Sequence, residues 1–372
     1  MGLKTPCALV DLQRLTQNCR AMSERAARFG VRLRPHVKTH KCVEAARLQV
    51  EGHFGGITVS TLAEASRFAS AGFKDIVYAV PIHPGRFQNA AEIASTGVKL
   101  GLLLDNGGAL TALEDFCRAA GRRFPVWLKV DCGGGRAGVL PGDPSSVALA
   151  RRVAQSGAVD FAGILTHAGQ AYHCRSREEV FNIARHERDV MLRFAGTLDE
   201  AGAKVPEISI GSTPTLCRVD HLRGVTEARP GNYVFYDAFQ AALGSCSLDN
   251  CAFTVLATVI GHYPQRNGFL INCGALALSK DEGPVQLDPA CGYGVVCDTH
   301  TTQPHPHLRI VGLSQEHGRV KGLEPIDYNR FPIGSTVRII PNHSCLAAAC
   351  FDRYFVIESH DVVDEWIPVK GW

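Results

Sequence analysis

A chain of 372 residues, 45% hydrophobic and 20% charged, can bury one large core or two moderate ones, which excludes a disordered or fibrous protein. Its formal charge is only +3 and its Lys and Arg are interspersed with Asp and Glu, so there is no basic footprint for nucleic acid and a small-molecule ligand is expected. The 14 cysteines, spread from Cys7 to Cys350 without a C-x-x-C pair, read as reduced, buried thiols rather than a disulfide scaffold. No apolar run reaches the ~18 residues of a membrane span, and residues 1–10 lack a signal pattern. The expectation is a cytoplasmic protein without a membrane partner, or an organellar one where a transit peptide has been removed.

In chain order, Leu3–Val10 is β-rich. Asp11 then caps a helix with Leu12, Leu15, Cys19, Met22 and Ala26 on one face, closed by Gly30. Eight β-rich runs follow, alternating with helical segments: Val31–Lys38, Gly55–Ser60, Asp75–Pro81, Val98–Asp105, Pro125–Asp131, Phe161–His167, Glu207–Gly211 and Val225–Val234. Among the helices between them, Leu62–Ala71 follows Thr61 as a cap and ends near Gly72, and Arg177–Ala201 follows Ser176. Eight such units in about 200 residues predict an α/β fold, a (β/α)₈ barrel of the TIM type with its active site at the strand C-termini. Lys38, Ser60, Asp131, His167 and Gly211 fall at or just past those ends. A doubly wound open sheet is the competitor, disfavoured because no G-x-G-x-x-G follows the first run.

After about residue 245 the pattern becomes all β, with Cys251–His262, Gly268–Cys273, His307–Leu313, Ser335–Pro341, Arg353–Glu358 and Val362–Val369 as strands. The expected division is a barrel over residues 11–244 and a β domain over 245–372, with residues 1–10 open to assignment to the latter.

Three places carry candidate chemistry. Lys38 ends the first run, where burial and the neighbouring Arg34, His36, His40 and Lys41 would favour the free amine that a Schiff base requires; a solvated basic loop fits the same residues. Gly211-Ser212-Thr213 and Gly231-Asn232 leave the seventh and eighth runs, where barrels commonly hold a phosphate. In Pro341-Asn342-His343-Ser344-Cys345, an extended chain would turn His343 and Cys345 to one face, and imidazole with thiolate suits Zn²⁺; a buried His and Cys in a β core is the competing reading. His300, His305 and His307 read as solvated loop histidines.

Arg34–Lys41 resembles the cofactor-lysine segment of the fold-type III pyridoxal phosphate enzymes, in particular the D-serine dehydratase and D-threonine aldolase group with its alanine racemase-like barrel. The stretches Gly56–Ala65, Asp131–Gly138, Gly211–Pro214, Pro230–Tyr233 and Gln315–Gly318 extend the resemblance in order over nearly the whole chain. It implies a homodimer in which Lys38 binds pyridoxal phosphate, Thr213, Gly231 and Asn232 contact its phosphate, Tyr172 lies beside it, Arg136 faces its ring hydroxyl and Arg229 its pyridine nitrogen. It also implies a divalent metal on His343 and Cys345, zinc first, with manganese or magnesium as alternatives. The expected activity is that of a lyase on D-3-hydroxy amino acids: a D-serine dehydratase-type elimination, with D-threonine aldolase cleavage and D-3-hydroxyaspartate dehydration as alternatives, and a racemase or a non-catalytic cofactor carrier further off. His-x-Cys favours the dehydratase, since bacterial D-threonine aldolases have His-x-Asp there. Asn272, where relatives usually carry Asp, is a departure without an evident role.

Overall fold

A computed structural model describes residues 2–372, and the chain divides into two compact units. One gathers the chain up to Ala21 with Tyr172–Arg177 and Asn232–Pro368; the other gathers Met22–Ala171, Glu178–Gly231 and Val369–Trp372. Among the described residues no helix is long and apolar enough to cross a membrane.

Strand β1 (Cys7–Asp11) leads into helix α1 (Leu12–Phe29), where Asp11 Oδ1 accepts from Arg14 N at 3.0 Å and Gly30 (φ 68°) ends the helix as expected. The barrel strands are β2 (Arg32–Leu33), β3 (Ile57–Val59), β4 (Asp75–Pro81), β5 (Lys99–Leu104), β6 (Pro125–Lys129), β7 (Asp160–Leu165), β8 (Ile208–Ile210) and β9 (Glu227–Ala228). All pair in parallel in the order β2-β9-β8-β7-β6-β5-β4-β3. The two ends of that order meet through a parallel bridge between His36 and Thr58, with Thr58 N donating to Pro35 O at 2.8 Å, and this closes the ring. Each predicted run contains its strand except that β7 begins one residue early, at Asp160, and several runs outlast the pairing: Val37–Thr39 and Asn232–Val234 are single 3₁₀ turns, because the chain leaves the ladder where it lines the barrel mouth.

The helices between strands are α2 (Val43–Val50), α3 (Leu62–Ser70), α4 (Phe87–Ser95), α5 (Gly107–Ala120), α6 (Pro144–Ala154), α7 (Arg177–Glu200) and the short α8 (Thr213–Arg218). Thr61 caps α3 by accepting from Glu64 N. Period-two alternation sorts the strand residues. Ile57, Val59, Ile76, Tyr78, Leu100, Leu102, Leu104 and Val126 pack outward against helix residues such as Phe68, Phe87 and Leu113. Val77, Leu103, Trp127 and Leu165 form a separate cluster inside the ring. Trp127 fits there because Gly101 has no side chain: a Cβ at 101 would stand 3.0 Å from the indole nitrogen and 3.3 Å from Val77.

The other half of the ring is filled by charge. Glu227, fully buried, accepts from Arg34 Nε at 2.6 Å and from Ser209 Oγ at 2.8 Å, and Arg34 continues to Asp75 Oδ1 at 2.6 Å. Arg34 also lies over the Phe54 ring, 4.9 Å from its centroid. Glu227→Gln leaves Arg34 a buried cation without its main counter-charge, so it should lower stability by roughly 3–5 kcal/mol, read as a shift of the urea midpoint at unchanged slope.

The β unit continues with α9 (Ala238–Ala242), β10 (Phe253–Tyr263), β11 (Gly268–Ile271), α10 (Ala275–Leu278), β12 (Val295–Cys297), β13 (Leu308–Leu313), β14 (Gly318–Gly322), β15 (Thr336–Ile340), α11 (Ser344–Ala349), β16 (Tyr354–Glu358) and β17 (Asp361–Trp366). Its path is β13-β14-β11-β10-β1-β16-β17, with β15 pairing β10 and β12. The opening segment thus belongs to this sheet, β1 running antiparallel to β10 and parallel to β16. Asn272 finds a role here: Nδ2 donates to Thr5 O at 3.0 Å and Thr5 Oγ1 at 2.9 Å, while Oδ1 accepts from Thr258 N at 2.7 Å. An ionised Asp could not donate to the Thr5 carbonyl, so the amide adds a tie between residue 5 and the sheet beside the 2.6 Å contact of the Thr5 and Thr258 hydroxyls.

Candidate active site

In the barrel unit Lys38 occupies the 3₁₀ turn that follows the closing bridge, half-buried, with its N–H donating to His36 Nδ1 at 3.5 Å. The cationic setting expected from Arg34, His36, His40 and Lys41 is not what surrounds it. Arg34 is neutralised by Glu227 and Asp75, and Lys41 Nζ by Glu64 at 3.0 Å. His40 is buried between Gln49 Oε1 (2.9 Å) and Cys42 N (3.0 Å), and burial pulls its pKa down to about 4 against those bonds. His36 is held well below the ordinary value by burial, then by the charges of Lys38, Arg229 and His167. Both are neutral imidazoles.

The positive charge comes instead from residues far along the chain. Arg229 is 3% exposed, donates from Nε to Ser209 Oγ at 2.7 Å and from Nη2 to Thr166 O, and is pulled down by burial to about 10, with Glu227 and Glu187 opposing. It therefore stays protonated at neutral pH. Lys129 alternates with Leu128 and so points into the ring; burial, then Arg229, lowers it to about 8. His167 donates from Nδ1 to Gly211 O at 3.0 Å and is depressed by burial, then by Lys38 and Lys129.

The loops that carry the remaining candidates are built by carboxylates. Asp131 takes the N–H groups of Gly133, Gly134 and Gly135 at 2.7–3.2 Å, which shapes the loop that presents the exposed Arg136. Glu187 of α7, fully buried, accepts from Ala168 N (3.0 Å) and Gly211 N (3.1 Å) and so fastens the loops after β7 and β8; burial pushes its pKa up against those bonds. The sequence reading missed Glu187, Glu227 and Lys129. Ser212 caps α8 in a capping box with Thr215, which commits its hydroxyl, and Thr213 is the buried first helical residue. Gly231 meets the strand of His36 so closely that a Cβ would lie 2.7 Å from His36 O.

In the β unit, His343 and Cys345 are adjacent, but not as the extended segment the sequence suggested. His343 is extended (φ −132°, ψ 101°), whereas Cys345 already lies in the first turn of α11; the Ser-Cys-Leu-Ala-Ala-Ala run has the propensity of a helix, not a strand. The two side chains hydrogen-bond to each other, and Asp281 Oδ2 lies 3.0 Å from His343 Nδ1. Burial disfavours charge on His343, but Asp281, Cys345 and Asp237 outweigh it and raise its pKa well above the ordinary value: these are surroundings that favour a cation. With Nδ1–H donating to Asp281, Nε2 is the nitrogen that would serve a ligand, on loss of the proton that the raised pKa favours there. Among the described residues no third His, Cys, Asp or Glu completes a cage. Tyr172 lies nearly parallel to the His343 ring (centroids 6.1 Å, 17°) and its hydroxyl accepts from Gln240 Nε2 at 3.0 Å. Asn232 Nδ2 is committed to Asp237 Oδ2 at 2.7 Å, so toward an anion this residue has its backbone N–H, the first of a helical turn, rather than its amide. The rival histidines are not brought together: His307 pairs with Glu324 at 3.2 Å, His305 packs on Phe331 and His300 on His360.

A closed parallel barrel with a lysine just past its first strand, together with an antiparallel β unit, is the alanine racemase-like fold. Residues 10–238 match the family model "Alanine racemase, N-terminal domain" and residues 252–357 the model "Putative serine dehydratase domain". The chain belongs to this family. It is similar to D-threo-3-hydroxyaspartate dehydratase of Delftia sp. strain HT23, 39% identical over 100% of this chain and 99% of that protein, whose solved structure superposes with a TM-score of 0.95. D-serine dehydratase of Dictyostelium discoideum is 38% identical over 100% and 98%. The solved D-threonine aldolase of Filomicrobium marinum is 25% identical over 99% and 95%, with a TM-score of 0.84. These dehydratases and aldolases are lyases; so is this chain, and pyridoxal phosphate is the cofactor expected of the family.

The buried neutral imidazoles make stability depend on acid. Folded His40 titrates near 4 and His36 and His167 well below 6.5, whereas the unfolded chain protonates all three near 6.5. The unfolded state then binds more protons below that pH, so stability is full above about 6.5 and falls as pH drops toward 4, by up to ~1.4 kcal/mol per pH unit for each imidazole. Denaturant midpoints measured from pH 7.5 to 4.5 should fall along that window; His40→Asn should flatten the slope.

Proposed function

We propose that the chain is a pyridoxal phosphate- and divalent-metal-dependent lyase that eliminates water from a D-3-hydroxy amino acid in the manner of D-serine dehydratase, giving a keto acid and ammonia. The observation that carries the reading is the pairing of His343, its Nδ1 engaged by Asp281, with Cys345. A nitrogen and a sulfur donor in anionic surroundings fit a soft divalent ion, zinc before manganese or magnesium. Two protein donors leave positions for water and a substrate oxygen. A racemase or a cofactor carrier has no use for such a pair.

The barrel fits the cofactor on its own evidence. Lys38 supplies the amine. Gly231 leaves open the space a Cβ would fill, and Arg229 is a buried cation with N–H groups beyond those it spends on Ser209 and Thr166. Ser212 and Thr213 would serve the phosphate through the turn that Ser212 caps, and Arg136 stands on the glycine loop ordered by Asp131. Asn232 would contribute its backbone N–H, and Tyr172 its ring. When bound, pyridoxal phosphate supplies an aldehyde for amine attachment and a ring that draws electron density from Cα. Lys38 would hold it, and its Nζ, when free, would serve as the base for the Cα proton. Arg229, protonated at neutral pH, would present its positive charge to the ring nitrogen. His343 and Cys345 would hold a divalent ion, which would supply Lewis acidity for the 3-hydroxyl. Loss of Cα–H and Cβ–O leaves an enamine, which water converts to a keto acid and ammonia.

The full-length 39% identity to the Delftia enzyme favours a second reading, in which the substrate carries a carboxylate at C3, as its name states for D-threo-3-hydroxyaspartate. D-Serine, D-threo-3-hydroxyaspartate and D-threonine should be compared while keto acid, ammonia and aldehyde are followed. Keto acid from the first or second compound is expected, lost on complete metal removal and restored by Zn²⁺; turnover that survives the stripping contradicts the metal assignment, and aldehyde with glycine from D-threonine indicates retro-aldol cleavage instead. Lys38→Ala should lose the yellow colour and the borohydride-stable adduct of the loaded protein. If both persist, another lysine, with Lys129 the foremost candidate by its burial, carries the cofactor.

A further inference from the structure

Asp237, 1% exposed, joins the segments that carry the proposed metal pair. Its Oδ1 accepts from Gln240 N at 2.8 Å, which is the ordinary cap of α9. Its Oδ2 does what a cap does not require. It accepts from Ser344 N at 2.9 Å and Ser344 Oγ at 3.1 Å, and Ser344 is the residue between His343 and Cys345. Alongside it the backbones are fastened directly, Ala238 N to Pro341 O and Phe239 N to Asn342 O, both at 3.1 Å. The turn that presents the two ligands is thus tied to the cap and first turn of α9 at three points, Pro341, Asn342 and Ser344.

The same oxygen sets an orientation. An asparagine amide can face either way, and its partners decide. With Asp237 Oδ2 at 2.7 Å the nitrogen of Asn232 must face it, because the amide oxygen there would oppose a carboxylate. That orientation puts Nδ2 3.1 Å from Ser344 Oγ and 3.6 Å from Cys345 Sγ, and it is kept although it leaves Asn232 Oδ1 buried without a partner. Cys345 therefore meets an N–H donor that Asp237 has turned toward it. Sulfur that ligates a cation is oriented by such donors, as histidine ligands are oriented by carboxylates.

We propose that Asp237 is a positioning residue for metal binding: it holds His343 and Cys345 as a pair through Ser344 and aims the Asn232 amide at the Cys345 sulfur. The inference rests on the reading of those two residues as metal ligands. It is tested on cofactor-loaded, metal-stripped enzyme titrated with Co²⁺, whose thiolate charge-transfer band reports the sulfur and whose titration gives the dissociation constant. Asp237→Asn, which sets an NH₂ or a weaker acceptor before Ser344 and Asn232, should weaken Co²⁺ binding roughly tenfold and shift or diminish the band, with Tm and cofactor absorbance retained. A folded Asp237→Asn protein with wild-type affinity and band overturns the inference. Should that variant not fold, Asn232→Ala decides, since it deletes the donor to sulfur and keeps the backbone N–H: the same loss supports the inference and an unchanged titration overturns it. Cys345→Ala separates the two levels, because wild-type Co²⁺ affinity in that variant removes the metal reading itself.

Discussion

A ring of eight parallel strands has one joint that the pairing order does not supply, and in this barrel the joint is Pro35–His36 against Thr58, braced by the Arg34–Glu227 ion pair. The strand on one side, β2, has two paired residues, too few to hold a seam by backbone bonds alone. The buried ions make up the difference. Glu227 lies on β9 and reaches Arg34 beyond β2, Arg34 reaches across to Asp75 at the start of β4, and Ser209 of β8 joins the same carboxylate. A buried pair of this kind is weak evidence for net stability, but each member becomes costly once its partner is gone. The network therefore specifies closure more than it adds strength.

Lys38 stands immediately past that joint, and its surroundings follow from it. The residues nearest in sequence are spent on the seam or neutralised: Arg34 on two carboxylates, Lys41 on Glu64, His36 and His40 as uncharged rings. Charge that acts on the site is brought by Arg229, Lys129 and Arg136 from other strands and loops. The β unit works by the opposite sign, with Asp281 and Asp237 gathered about His343. The charges around Lys38 suit an anionic guest and those around His343 a cationic one.

The eight barrel strands were legible because alternation and turn residues are local signals, and the strand ends were overread because the chain at the mouth stays extended after pairing stops. β14 escaped notice since Gly-Arg-Val-Lys-Gly offers one apolar residue, and β12 since it has three residues. The helix after His343 follows from the propensity of its alanines, a signal that the His-x-Cys spacing does not carry. The two residues meet all the same, because the first turn of a helix and an extended residue can still bring neighbours i and i+2 together. What no local pattern could reveal are the partners. Arg34 and Glu227 are 193 residues apart, Asp237 and Ser344 107, and Asp281 and His343 62. Lys38, His343 and Cys345 could be picked out by type and spacing; the carboxylates that orient or neutralise their surroundings had no spacing to give them away.

The fit of Trp127 over Gly101 bears on how this lineage can drift. The widest side chain inside the ring faces a position with none, and a Cβ at 101 already presses on the indole and on Val77. Enlarging residue 101 first crowds the interior, and shrinking residue 127 first leaves a void, so either order passes through a less stable protein. Positions 101 and 127 are thus coupled by packing, and relatives that change one are expected to have changed the other.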